Sequence, residues 1–139
     1  MSQRVYIAGP MTGIPKFNIP AFDEAARDLR ERGYTVFSPA ELDNQETRAA
    51  ALASDDGAPG SGTTNGETWG DFLARDVKLI ADEGIEGIVC LEGWERSKGA
   101  RLETYVASLS GIPIALYEPE EELTFVQCKA AIVRPPDDD

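Results

Sequence analysis

The sequence predicts an α/β fold: a doubly wound parallel sheet of four to five strands with helices on both faces. Short apolar, β-branched runs alternate with segments of helical periodicity over the first 117 residues, and glycine and proline separate them. This alternation implies right-handed crossovers between parallel strands. The chain has 139 residues, which suits one domain. We therefore predict a single Rossmann- or flavodoxin-like domain over residues 1–117 and a tail over 118–139.

The predicted elements follow in order along the chain. Strands are predicted over 4–8, 34–37, 87–91 and 112–117, where short apolar runs end at turn signals. Helices are predicted over 20–32, 68–82 and 100–110, where apolar residues recur at helical spacing. The first helix has its buried stripe at Phe22, Ala25, Ala26 and Leu29. The loops over 9–20 and 93–99 connect strands to the helices that follow.

Residues 43–67 depart from this pattern. The part over 50–64 consists almost entirely of small and polar residues, which bury too little apolar surface to offset the entropy of ordering. We predict a flexible insertion at about 44–67, either a lid or a disordered loop. The tail adds an apolar stretch over 123–126 and ends in three aspartates, which we expect to be frayed.

The composition excludes several functional classes. A formal charge of −12 argues against binding to a nucleic-acid polymer or to an anionic membrane. The chain has no histidine and only two cysteines, so it cannot form a Ser-His-Asp triad or an imidazole metal site. We predict no metal and no cofactor. The sequence has no long apolar run and no signal-peptide pattern, which predicts a soluble cytoplasmic protein.

The predicted helix over 68–82 carries a carboxylate on its apolar face. Asp76 lies seven residues after Trp69 and four after Phe72, on the same stripe. A buried carboxylate is costly unless it is paired or hydrogen-bonded. Asp76 is therefore either a structural partner of a cation such as Arg75 or Lys78, or a functional acid.

Glu103 is the second candidate, on the packed side of the next helix and near the carboxyl edge of the sheet, where α/β proteins bind ligands. The alternative is a glutamate placed in a first turn by the helix dipole. The preceding residues 94–101 hold three cations and bring Ser97 and Gly99 to a helix N-terminus. Such a site favours an anion such as a phosphate, although a solvated turn would have the same composition.

The residues V-Y-I-A-G-P over 5–10, an aspartate in a central helix and S-x-G-x-x-x-E over 97–103 occur in one order. In this combination the sequence resembles the nucleoside 2-deoxyribosyltransferase-like superfamily, which includes 2′-deoxynucleoside 5′-monophosphate N-hydrolases. It is most similar to a branch that is common in phage genomes. The resemblance implies that Glu103 is the nucleophile, that Asp76 lies near the leaving base, and that Tyr6 orients the glutamate.

The resemblance also implies a set of substrate contacts. Ser97 and Gly99 would bind a 5′-phosphate, because the nucleotide hydrolases of the superfamily have a phosphate-binding serine at the position of Ser97. Transferases that use free nucleosides tend to have an aspartate there. The remaining substrate-binding residues implied are Gly9, Pro10, Met11, Gly13, Asn18 and Trp94.

The expected reaction is cleavage of the N-glycosidic bond of a (2′-deoxy)nucleoside 5′-monophosphate, by hydrolysis or by transfer of the sugar to another base. The alternatives are transfer between free nucleosides and a nucleotide-binding protein without turnover. Phosphoribohydrolase chemistry is disfavoured because the motif P-G-G-x-G-T-x-x-E is absent. The resemblance further implies a homo-oligomer, with residues 123–133 as a subunit contact, and a small-molecule nucleotide or nucleoside as ligand.

Overall fold

The computed structural model describes residues 2–58 and 68–127. In these ranges four parallel strands form one sheet in the order β2-β1-β3-β4. The strands are β1 Arg4–Ala8, β2 Thr35–Phe37, β3 Gly87–Cys90 and β4 Ile114–Leu116. The predicted α/β fold with a parallel sheet is confirmed, with four strands.

Five α-helices connect and cover the described part of the sheet. They are α1 Ile19–Glu31, α2 Pro39–Leu42, α3 Gln45–Leu52, α4 Trp69–Asp82 and α5 Lys98–Leu109. Two short 3-10 segments, Pro15–Asn18 and Trp94–Arg96, lie in the loops before α1 and α5. Among the described helices, none combines the length and apolarity needed to cross a bilayer.

The sheet has a packed core on each face because its side chains alternate. Val5 and Ile7 of β1 face the layer that contains α1. Tyr6 and Ala8 face the layer that contains α4 and α5. The apolar stripe predicted for α1 is fully buried. Tyr6 therefore points toward the two helices that carry the candidate carboxylates.

A helix replaces part of the predicted insertion loop. Residues 45–52 form α3, whose N-cap Asn44 accepts a hydrogen bond from the backbone of Thr47. The expectation of an unordered segment gave too little weight to helix propensity, which alanine has more than any other residue. Thr47 and Ala51 are buried, so this short helix also packs against the domain. The part over 59–67 lies outside the described residues.

Two further expectations differ from the structure. Trp69 is 56% exposed although it was expected on the buried stripe, because α4 begins at this residue and Thr68 caps it. The tail packs partly on its own domain: Val126 pairs with Ile114 of β4, and Phe125 packs against the core. Residues 128–133 of the expected subunit contact lie outside the described ranges.

Candidate active site

The site lies beside the two central strands of the sheet. β1 and β3 are neighbours, and the chain moves from β1 outward to β2 before it returns to β3 and β4. The strand order therefore reverses between β1 and β3, which is where open α/β sheets bind ligands. The helices α4 and α5 precede and follow β3 and pack against each other. They bring one carboxylate each toward Tyr6.

Tyr6 and Glu103 form a buried hydrogen bond. The Tyr6 hydroxyl donates to Oε2 of Glu103 at 2.6 Å. The Tyr6 side chain has no exposed surface and Glu103 is 5% exposed. This is the contact that the family resemblance implies for these two residues.

Asp76 lies next to this pair and is 8% exposed. Its Oδ1 accepts a hydrogen bond of 3.0 Å from Nε of Arg75. The ion pair that the sequence left open is thus present. Asp76 also interacts with Glu103 and Tyr6, which both affect the pKa of its carboxyl. The site is therefore a cluster of one phenol, two carboxyls and one guanidinium.

Burial controls the ionisation of this cluster. Burial and the nearby Asp76 carboxylate raise the pKa of Glu103 well above its usual range, while the Tyr6 hydrogen bond opposes the shift. Burial also raises the pKa of Asp76, and Arg75 opposes that shift. Burial and Glu103 raise the pKa of Tyr6. Since two adjacent carboxyls in a buried site disfavour a second negative charge, the pair favours a state that holds one proton.

The N-terminus of α5 is the second part of the site. Ser97 is its N-cap, and its Oγ accepts a hydrogen bond of 3.2 Å from the backbone of Ala100. The helix begins at Lys98, two residues earlier than predicted. The backbone N–H groups of Lys98 and Gly99 lie in its first turn, before the first intrahelical hydrogen bond. Within residues 2–58 and 68–127, the cations Arg96, Lys98 and Arg101 form no ion pair, whereas six other cations hydrogen-bond to carboxylates or carbonyls.

The loop after β1 makes close packing contacts and hydrogen bonds with the rest of the domain. A Cβ atom at Gly9 would lie 2.9 Å from Cβ of Leu91, so this position requires glycine. The backbone N–H of Gly13 donates to the carbonyl of Gly57 at 2.7 Å. Asn18 has a left-handed backbone, and its Nδ2 donates to the carbonyl of Pro10 at 3.0 Å. Gly9, Pro10, Gly13 and Asn18 thus belong to one loop, which hydrogen bonds tie together internally and to Gly57, where the substrate contacts are expected.

Two of the residues expected to contact the substrate pack against the cores of the protein. Trp94 is only 4% exposed and belongs to the core on the α4–α5 side. Met11 packs partly buried against the opposite core. Direct contact of either side chain with a substrate stays a prediction.

The sequence reasoning missed Asp43, whose Oδ1 accepts a hydrogen bond from Nη1 of Arg75. Asp43 comes directly after α2, at the carboxyl edge of β2. Its position six residues after β2 was the available signal, because the carboxyl ends of parallel strands lie at the edge where such sheets bind ligands. No pattern in the sequence linked it to Arg75, which is 32 positions away.

Two surface cavities in the described part of the chain are lined by neither Glu103 nor Asp76. One of about 400 Å³ lies between α1 and the tail, and six of its ten lining residues are acidic. The other, of about 190 Å³, lies along α4 beside Arg75 and Lys78. The acidic lining of the larger cavity would repel a phosphate, so neither its position nor its charge suits the expected substrate.

Fold and site together define a parallel α/β protein with a buried Tyr–Glu–Asp cluster at the reversal of strand order. The chain belongs to the family described as "Domain of unknown function (DUF4406)", whose model matches residues 3–56 and 58–116. No curated protein and no solved structure matches the chain.

Proposed function

We propose that this protein cleaves the N-glycosidic bond of a 2′-deoxynucleoside 5′-monophosphate, with Glu103 as the nucleophile. The observation that carries the proposal is the buried hydrogen bond of 2.6 Å from Tyr6 to Glu103, with Asp76 beside it. The resemblance to the nucleoside 2-deoxyribosyltransferase-like superfamily supports the same reaction.

The cluster offers a proton and a nucleophile for one step. Before reaction, one proton is held by Glu103 and Asp76 is ionised. As the substrate binds, this proton passes to Asp76, and Glu103 becomes a carboxylate that the Tyr6 hydrogen bond stabilises. Glu103 then attacks the anomeric carbon while the bond to the base breaks. Its electron pair stays with the base, which takes the proton from Asp76.

The second half of the reaction releases the sugar. Water attacks the anomeric carbon of the glycosyl-enzyme, the bond from that carbon to Glu103 breaks and leaves its electron pair on the Glu103 carboxylate, and Asp76, now a carboxylate, takes a proton from the water. The products are a free base and 2-deoxyribose 5-phosphate. If a second base replaces water, the same intermediate gives transfer of the sugar.

The N-terminus of α5 supports recognition of the 5′-phosphate. Ser97 caps the helix, and Arg96, Lys98 and Arg101 are its neighbours in the sequence of a chain of net charge −12; none of these three cations forms an ion pair in the part of the chain that the structure describes. Ser97 precedes Glu103 by six positions, or about 9 Å along the helix axis. One helix would thus hold the phosphate at its start and the nucleophile on its second turn.

The test is release of free base from the four deoxynucleosides and their 5′-monophosphates, followed by chromatography. We expect release from at least one monophosphate, and a loss of about 10²- to 10⁴-fold for Asp76→Asn with a loss at least as large for Glu103→Gln. The matched control is Glu95→Gln, which changes an exposed glutamate in the adjacent loop. A Glu103→Gln variant as active as the wild type would refute the proposal.

A further inference from the structure

A line of polar contacts runs from the end of β2 to the carboxyl pair. Arg75 donates from Nε to Asp76 and from Nη1 to Asp43. Its Nη2 also lies 3.4 Å from the carbonyl oxygen of Pro39, in α2. One guanidinium therefore connects the segment after β2 to the acid that lies beside Glu103.

The guanidinium is held from several sides. Its side chain is 31% exposed, whereas the side chains of Asp43 and Asp76 are each 11% exposed. It also lies over the ring of Phe72, with 5.4 Å between the guanidinium carbon and the ring centroid. A planar group with two acidic partners and a ring beneath it has little freedom to rotate. The direction of Nε, and with it the orientation of Asp76, is therefore fixed from outside the carboxyl pair.

We propose that Arg75 is a positioning residue for Asp76 and that Asp43 holds Arg75 in place. This inference rests on the proposed function, in which Asp76 receives the proton of Glu103. Arg75 occupies Oδ1 of Asp76, which leaves the other carboxyl oxygen to face the reaction. Arg75 also supplies the only cation in contact with the pair within the described residues.

The charged groups around Asp76 determine how the loss of Arg75 changes the ionisation of its carboxyl. The groups that act on its carboxyl are Arg75 from α4, Glu103 from α5 and Tyr6 from β1. Without Arg75 the remaining charged groups near Asp76 are carboxylates, so Asp76 ionises less readily. Its carboxyl would also lose the contact that fixes its rotation.

The experiment compares Arg75→Met and Arg75→Lys with the wild type. For Arg75→Met we expect kcat to fall by about 10- to 100-fold with little change in KM, because the substrate contacts stay in place. We also expect the acidic limb of the kcat profile to move to higher pH. Arg75→Lys keeps the charge but not the planar fork, so it should keep the pH profile and recover only part of kcat.

Asp43 has a matched control on the same segment. Asp43→Ala removes the acid that holds Arg75, whereas Glu41→Ala removes an acid that pairs with Arg30 and has no contact with the carboxyl pair. We expect kcat to fall in Asp43→Ala and to stay near the wild-type value in Glu41→Ala. Equal effects of the two variants, or an Arg75→Met variant with unchanged kcat and pH profile, would overturn the proposal.

A second readout does not depend on activity. In the full chain labelled with ¹³C, the pKa of the Asp76 carboxyl can be followed by NMR in the wild type and in Arg75→Met. We expect the pKa of Asp76 to rise by about one unit or more in the variant. An unchanged titration would overturn the positioning role, even in a protein that cleaves nothing. Absence of base release with a shifted titration would instead refute only the proposed function.

Discussion

Tyr6 donates a hydrogen bond of 2.6 Å to Glu103 although 97 positions separate them in the sequence. The bond joins β1 to α5 and lies almost completely out of contact with solvent. It lowers the pKa of Glu103, whereas burial and Asp76 raise it. One phenol hydroxyl thus opposes the effect of burial on the carboxyl that we propose as the nucleophile.

Replacing Tyr6 with phenylalanine should slow base release. A hydrogen bond to a charged group contributes about 1.5–3 kcal/mol, which corresponds to a factor of about 10 to 100 in rate. We expect a loss of this size together with a higher pKa of Glu103, measured by ¹³C NMR. Tyr105→Phe is the control, because Tyr105 is 41% exposed on the same helix as Glu103. Wild-type activity in Tyr6→Phe would contradict a role of the hydroxyl.

Glu103→Gln should change how the stability depends on pH. The folded-state pKa of Glu103 is raised above the unfolded value, so between these two values the folded state binds more protons. The free energy of unfolding of the wild type, relative to the variant, should then fall as pH rises, by at most about 1.4 kcal/mol per pH unit.

Urea denaturation of both proteins between about pH 5 and pH 8 measures this difference. Glu95→Gln serves as the control, since Glu95 is exposed and lies outside the buried cluster. A wild-type protein that gains stability relative to Glu103→Gln as pH rises would show that Glu103 ionises readily in the folded state.

Ser97→Asp separates helix capping from phosphate recognition. Aspartate caps helices as well as serine does, so we expect the stability to change by less than about 0.5 kcal/mol. Its charge would repel a 5′-phosphate, so the preference for monophosphate over nucleoside should fall at least about tenfold. Asn44→Asp adds the same charge at the cap of α3 and is the control. An unchanged preference would remove Ser97 from the phosphate site.

Gly99→Ala tests the same site without a charge. A Cβ atom at Gly99 would lie 4.0 Å from Leu73 and from Oγ of Ser97, which is ordinary contact. Alanine also favours helix more than glycine, by about 0.5–1 kcal/mol, so thermal unfolding should occur at the same or a higher temperature. We expect weaker use of monophosphates, because the methyl group would cover the N–H groups of the first turn.

The contrasting variant is Gly9→Ala, whose added Cβ would lie 2.9 Å from Cβ of Leu91. Overpacking of this kind costs about 1–3 kcal/mol, so this variant should lose stability and activity together. If Gly99→Ala used monophosphates as well as the wild type did, the first turn of α5 would not be the phosphate site.

The sequence was informative where a local pattern determines the outcome. The short apolar run over 4–8 predicted β1, and the helical period placed Asp76 on the buried face of α4. Both follow from distances of a few residues. The prediction that Trp69 lies on the buried face was wrong, because the apolar pattern of a helix does not show at which residue the helix first contacts the core.

Long-range contacts could not be read in the same way. The link from Asp43 to Arg75 depends on where the end of α2 and the middle of α4 lie in the folded domain, and no residue pattern in either segment predicts this. The helix α3 was missed for another reason: the prediction of a flexible segment gave more weight to the small size of its residues than to the high helix propensity of alanine. The comparison of carboxylate positions with a known family, and not periodicity, supplied the proposed roles.

The bond from Gly13 to Gly57 has an evolutionary consequence. A second backbone bond, from Lys16 to the carbonyl of Ser54, lies beside it at 2.8 Å. The loop after β1 is therefore held by the segment after α3, and these two stretches of chain meet only in the folded protein. In a relative with a shorter or longer stretch after α3, the loop after β1 would take a different shape. Selectivity for the substrate could then change through the length of this stretch, while Tyr6, Asp76 and Glu103 stay the same.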